Sequence, residues 1–179
     1  MPRHYAFLRA INVGGHTVTM AKLCELFEGL GFTDVTTFIA SGNVIFTSPV
    51  KNTAALEKKI EAHLEKALGY EVKTFVRTGL ELAALAAHKA FPAGRVAGAG
   101  AFCIGFLSEP LSPAARKALD GLANDNDAFH LNGREIYWLC KTGQADSEFS
   151  NNVFEKATKA RVTFRGAKTV TKLLAKWPL

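Results

Sequence analysis

The turn Arg9-Ala10-Ile11-Asn12-Val13-Gly14-Gly15 follows an apolar run, Tyr5 to Ala10, and precedes an amphipathic pattern of helical period. Glycine pairs at such a turn let backbone N–H groups approach an anion closely, and arginine supplies a rigid fork of donors. Asn12 adds an amide that can orient a ligand or tie the loop to its neighbours. His16 stands beside the glycine pair, and a lone loop histidine is more often solvated than catalytic. These residue types point to a small anionic ligand, with phosphate as the natural class.

Known catalytic patterns do not add a reaction. The chain has no Walker-type loop, no Gly-x-Ser-x-Gly elbow and no His-Glu-x-x-His, and Asn12-Val13-Gly14-Gly15 lacks the spacing of a dinucleotide fingerprint. Cys24, Cys103 and Cys140 show no paired spacing, so neither a disulfide framework nor a zinc site is expected. No metal and no cofactor is implied. An enzyme using the same pocket is the second reading, although Ser41 has no identifiable base or oxyanion partner to make it a nucleophile.

Charge suggests a third reading. The formal net charge is +6, and the stretch from Lys156 to Leu179 carries Lys156, Lys159, Arg161, Arg165, Lys168, Lys172 and Lys176 with no acidic side chain. Such a segment attracts single-stranded nucleic acid or an acidic protein partner. Lys168, Lys172 and Lys176 also recur opposite Val170, Leu173, Leu174 and Trp177, as a solvated helix face does. Oligomeric state is not encoded in any recognisable pattern.

At 179 residues and 48% hydrophobic content the chain can bury its own core. Its longest weakly polar run, Val96 to Leu107, is broken by Gly98, Gly100 and Gly105 and is too short to span a bilayer. The first residues lack the features of a signal peptide, so a cytoplasmic protein with no membrane partner is expected.

The elements that must position the turn follow from periodicity. Met20, Leu23, Cys24, Phe27 and Leu30 mark one face of a helix, with Thr19 as N-cap and Gly31 as the stop. Val35 to Ala40 and Asn43 to Thr47 read as a hairpin around Ser41-Gly42. Leu56, Ile60, Leu64 and Leu68 line a second helix ending at Gly69, and Val72 to Arg77 reads as a fourth strand. This order is the split βαβ, ferredoxin-like unit.

A helix from about Glu81 to Ala87 and a Gly/Ala-rich connection, Phe91 to Gly100, lead to what reads as a repeat. Phe102 to Leu107 is a strand, and Ser112-Pro113 opens a helix to Leu122. A hairpin follows around Asn132-Gly133-Arg134. Ser150 caps the next helix, with Phe149 and Phe154 as a hydrophobic staple, then come a strand near Val162 to Arg165 and a helix over 167–176. The expected architecture is therefore α+β, with two similar ferredoxin-like halves forming one compact unit: 1–78, a connection over 79–100, and 101–179. Both alternating sets in Tyr5 to Arg9 are apolar, as in a strand covered on two faces, which makes each half a candidate cover for the other.

In this topology the first and third strands are antiparallel neighbours at the sheet centre. The end of the first strand then lies beside the start of the third, bringing Arg9 and Asn12 towards Ser41, Gly42 and Asn43. Phe46, Tyr137 and Trp138 lie on the third strands. There they serve as core or, in the nucleic-acid reading, as stacking platforms for bases.

The turn, together with Ser41-Gly42-Asn43-Val44-Ile45-Phe46, Ser147-Glu148-Phe149-Ser150-Asn151, Thr163-Phe164-Arg165 and Thr169-Val170-Thr171-Lys172-Leu173, resembles the bacterial domain-of-unknown-function family numbered 1697. The resemblance covers essentially the whole chain and implies two ferredoxin-like halves, with no established activity. It departs from the family at Ala10, where glycine is usual, at Gly166-Ala167, where Asn-Trp is usual, and at His16. The positions Arg9, Asn12, Gly14, Gly15, Ser41, Gly42 and Asn43 are retained and form the expected ligand site, with Arg165 and Thr169 as additions.

Overall fold

The computed structural model describes residues 1–179 and holds two four-stranded antiparallel sheets with helices against them. The chain divides into two compact units, one of Met1–Ala84 with Leu173–Leu179 and one of Leu85–Lys172.

The first unit runs β1 (Arg3–Leu8), α1 (Met20–Glu28), β2 (Thr33–Thr37), β3 (Asn43–Thr47), α2 (Thr53–Leu68) and β4 (Thr74–Thr78). Its sheet has the order β2-β3-β1-β4, with Tyr5 opposite Ile45 on one side and Arg77 on the other. Alternation sends Ala6, Leu8, Val44, Phe46 and Val76 to one face, where they pack with Leu23 and Phe27 of α1 and Leu56, Ile60 and Leu64 of α2. Each such side chain contributes about 1.5–3 kcal/mol by leaving water. Tyr5, Phe7, Ile45 and Phe75 are buried as well, so the strand is apolar on both faces.

Capping chemistry sets the helix ends. Thr19 Oγ1 accepts from Lys22 N–H at 3.1 Å and Asn52 Oδ1 accepts from Ala55 N–H at 3.1 Å. α2 ends on Gly69 at φ +82°. α1 stops earlier than expected, on Gly29, because the left-handed turn at Gly31, φ +83°, comes after the helix has already been capped. The second strand also differs from the expected Val35 to Ala40. β2 is shorter and bulged: Asp34, at φ +51°, lies within its register shift, Ile39, at φ +52°, comes after its end, and Phe38 to Ala40 fall outside the strand.

Next come α3 (Gly79–Ala87) and α4 (Ala93–Ala97). Thr78 and Glu81 form a capping box at the start of α3: Glu81 N–H donates to Thr78 Oγ1 and Thr78 N–H to Glu81 Oε2. α4 lies in a stretch expected to be irregular; Gly94 and Gly98 masked its short helical turn.

The second unit contains β5 (Ala101–Phe106), α5 (Pro113–Asp120), β6 (Asp127–Asn132), β7 (Glu135–Cys140), α6 (Asn151–Thr158), β8 (Thr163–Gly166) and the first residues, up to Lys172, of α7 (Ala167–Lys176). Its order, β6-β7-β5-β8, repeats that of the first sheet. Cys103, Ile136, Trp138, Phe154 and Val162 form its core, with Phe149 in tilted contact with Trp138 at 4.8 Å. Ser112 caps α5, with Pro113 in its first turn, and Ser150 caps α6. No helix is long and apolar enough to cross a membrane.

Candidate functional site

The end of β1 and the β2–β3 turn meet. Leu8 N–H donates to Gly42 O at 2.9 Å, and Phe7 stands opposite Asn43 in the ladder. The loop after β1 is tied to the same turn by Asn12, whose Nδ2 donates to Ala40 O at 3.3 Å while its Oδ1 accepts from Val18 N–H at 2.8 Å. One side chain therefore fixes both the far end of the glycine loop and its distance from the hairpin. Tyr70, which sequence reasoning missed, adds a third tie: its hydroxyl donates to Ile11 O at 3.3 Å and its ring stacks on His16 at 3.8 Å.

Gly42 is required sterically. It sits at φ +80°, and a Cβ there would stand 2.8 Å from Ile11 Cγ2 and 3.1 Å from Leu8 Cβ. Gly14 and Gly15, at φ +63° and +85°, have open space around them. His16 N–H closes a turn onto Val13 O at 3.1 Å, leaving both glycines exposed at its crest.

Arg9 is half-buried where β1 ends, its N–H held by Lys73 O at 2.9 Å. The next residue, Ala10, has φ +56°, a conformation costing a residue with Cβ about 1–2 kcal/mol. This strain accounts for the glycine that the family resemblance expects there. Asn43 is buried, with Nδ2 donating to Phe38 O and to Ser41 Oγ, each at 2.9 Å. Asn12 and Asn43 are thus engaged in shaping the two turns, with Ser41 Oγ held by Asn43, while Gly14 and Gly15 are exposed.

Arg165 and Thr169 belong to the second unit. Arg165 is buried, and loss of solvent lowers its guanidinium pKa to about 10; its Nη1 donates to Thr163 Oγ1 at 2.8 Å and to Phe164 O at 3.0 Å. Its counterpart on β4 is Arg77, also buried, whose Nη1 lies 3.8 Å from Glu57 Oε1 and donates to Val76 O. Thr169 lies one helical turn beyond, half-buried in α7.

The Ser147–Asn151 segment has a structural role. Ser147 Oγ donates to buried Asp127, which also receives Trp138 Nε1–H at 2.8 Å; Ser150 caps α6, and Asn151 Nδ2 donates to Val162 O. Asp127 is the hub that sequence reading overlooked; its only advance signal was an acid at the start of a strand. Phe46, Tyr137 and Trp138 are buried, as a core role requires.

Comparison with known proteins gives a consistent picture. No curated protein matches the chain. A conserved bacterial protein, SP0830 from Streptococcus pneumoniae, has a similar structure at TM-score 0.75 and 23% identity, with 98% of each chain covered, which shows a shared fold. The family model "Protein of unknown function (DUF1697)" matches residues 1–137, spanning the glycine loop, the Ser41–Asn43 turn and the strands that join them, and the chain belongs to that family.

Proposed function

We propose that the chain binds a small phosphate-bearing anion between the Arg9–Gly15 loop and the Ser41–Asn43 turn. The supporting observation is Asn12, which bonds Val18 N–H and Ala40 O together and so holds the exposed Gly14-Gly15 crest in place before any ligand arrives. A site ordered in advance loses little entropy on binding. Arg9 pairs with the anion, the Gly14 and Gly15 amides surround it, and Ser41 supplies a hydroxyl at the rim. Gly42, Asn12 and Asn43 shape the walls.

The βαββαβ order in each unit and the matching strand orders support two ferredoxin-like halves that arose by duplication. Only the first carries the Arg-x-x-Asn-x-Gly-Gly turn, which makes the halves functionally unequal. A cytoplasmic setting fits three cysteines without paired spacing.

A thermal-shift screen with inorganic phosphate, sugar phosphates and nucleotides tests the reading. At saturating ligand the midpoint rises by linkage, and Arg9→Ala removes the rise. An unshifted wild type, or an equal shift in the variant, overturns it.

A further inference from the structure

A second recess lies in the other unit, against β5 and the first turns of α7, with a volume of about 660 Å³. One wall is apolar, formed by Val96, Phe102 and small residues of the α4–β5 connection. Lys168, Thr171 and Lys172 of α7, all exposed, line it as well. Not one Asp or Glu lines it, and neither lysine is ion-paired.

The amphipathic pattern of α7 explains how the lysines come to be there. Val170 and Leu173 are fully buried, so the intervening positions must face outward, and residues four apart stand on one side of the helix. Two ammonium groups one turn apart repel, and no carboxylate offsets them. Cys103, at the base, adds no negative charge: burial pushes its thiol pKa up to about 11, and Gln144 Nε2 donates to its sulfur at 2.8 Å. The wall at Gly100 is fixed by its N–H bond to Lys141 O and by backbone so close that a Cβ would stand 2.4 Å from Gly143 N.

We propose that this recess binds a mononucleotide-sized organic phosphate, with the phosphate between Lys168 and Lys172 and the apolar part of the ligand on Val96 and Phe102. Charge complementarity selects an anion, and the apolar wall selects one that carries a ring or comparable body. The volume falls within the range of small-molecule sites, about 300–1,000 Å³. Inorganic phosphate leaves the apolar wall wet, and so binds more weakly.

The test is an amide-resolved NMR titration of the full chain with AMP, ribose 5-phosphate, inorganic phosphate and a single-stranded RNA oligomer. AMP is expected to shift the Gly100, Phe102, Gly166 and Lys168 signals in a saturable way, about tenfold more tightly than inorganic phosphate. Lys168→Glu with Lys172→Glu, both exposed, weakens this at least about tenfold without lowering the unfolding midpoint. Arg9→Ala leaves these signals responsive, so the outcome is separate from that at Gly14 and Gly15. The proposal is overturned if AMP leaves these amides unshifted, if the double variant responds like wild type, or if AMP binds no better than phosphate. It is equally overturned if only a single-stranded RNA oligomer, and no mononucleotide, saturates the site.

Discussion

His88 Nε2 and His130 Nε2 stand 2.9 Å apart, their ring centroids separated by 5.1 Å. Two ring nitrogens at that distance share a single proton, one donating and the other accepting. Only when both rings are charged is no acceptor left, and two cations then stand together. Phe91 and Tyr137 pack around His130, and Tyr137 is itself held by Leu85 O at 2.6 Å.

Stability should therefore fall on acidification. Burial, and secondarily His88, lowers the His130 pKa below its usual 6.5, and burial likewise lowers that of His4. A histidine whose folded pKa lies below the unfolded value binds fewer protons when folded. Its contribution is present above 6.5 and declines as pH drops through 6.5 towards the folded value. Urea midpoints measured from about pH 8 down to about pH 5 should decrease, and His130→Gln should flatten the decrease. A profile identical in wild type and variant contradicts the shared-proton account.

Glycine positions should separate by the space around them. Gly31→Ala, at φ +83° with nothing nearby, is expected to cost about 1–2 kcal/mol from backbone strain alone. Gly42→Ala adds overlap with Ile11 and Leu8 and should cost about 1–3 kcal/mol more. Ala10→Gly, which relieves the strain at φ +56°, should stabilise by up to about 1 kcal/mol. Denaturant unfolding of the three variants checks the order, and equal losses at Gly31 and Gly42 refute the steric argument.

The buried pair Arg77–Glu57 predicts an asymmetric response. Glu57 Oε1 accepts from Val76 N–H at 2.9 Å and faces the Arg77 guanidinium. Glu57→Ala strands a buried charge and an amide, for a loss of about 3–5 kcal/mol. Glu57→Gln keeps an acceptor for Val76 and should lose less. Unfolding free energies of both variants decide this; an equal loss means that packing, and not charge, sets the cost.

Much of the architecture was legible because it is local. Thr19, Ser112 and Ser150 are caps readable from residue type, the apolar period placed both helices of the first unit, and caps placed those of the second. The meeting of Asn12 with the Ser41 turn followed from strand order alone. Other features depend on distant partners and leave no local trace. Glu57 looks like one more solvated helix acid until β4 brings Arg77 and Val76 to it, and Asp127 gains meaning only when Trp138 and Ser147 arrive. The left-handed Ile39 was hidden by its high strand propensity, which tertiary geometry overrode.

The Gly14 and Gly15 amide signals report most directly on the proposed binding of a phosphate-bearing anion at the Arg9–Gly15 loop. Titration of the full chain with phosphate monoesters should move both signals downfield in a saturable way, with Arg9→Ala weakening the response at least about tenfold. Signals that stay in place through millimolar ligand, or that move equally in the variant, would contradict it.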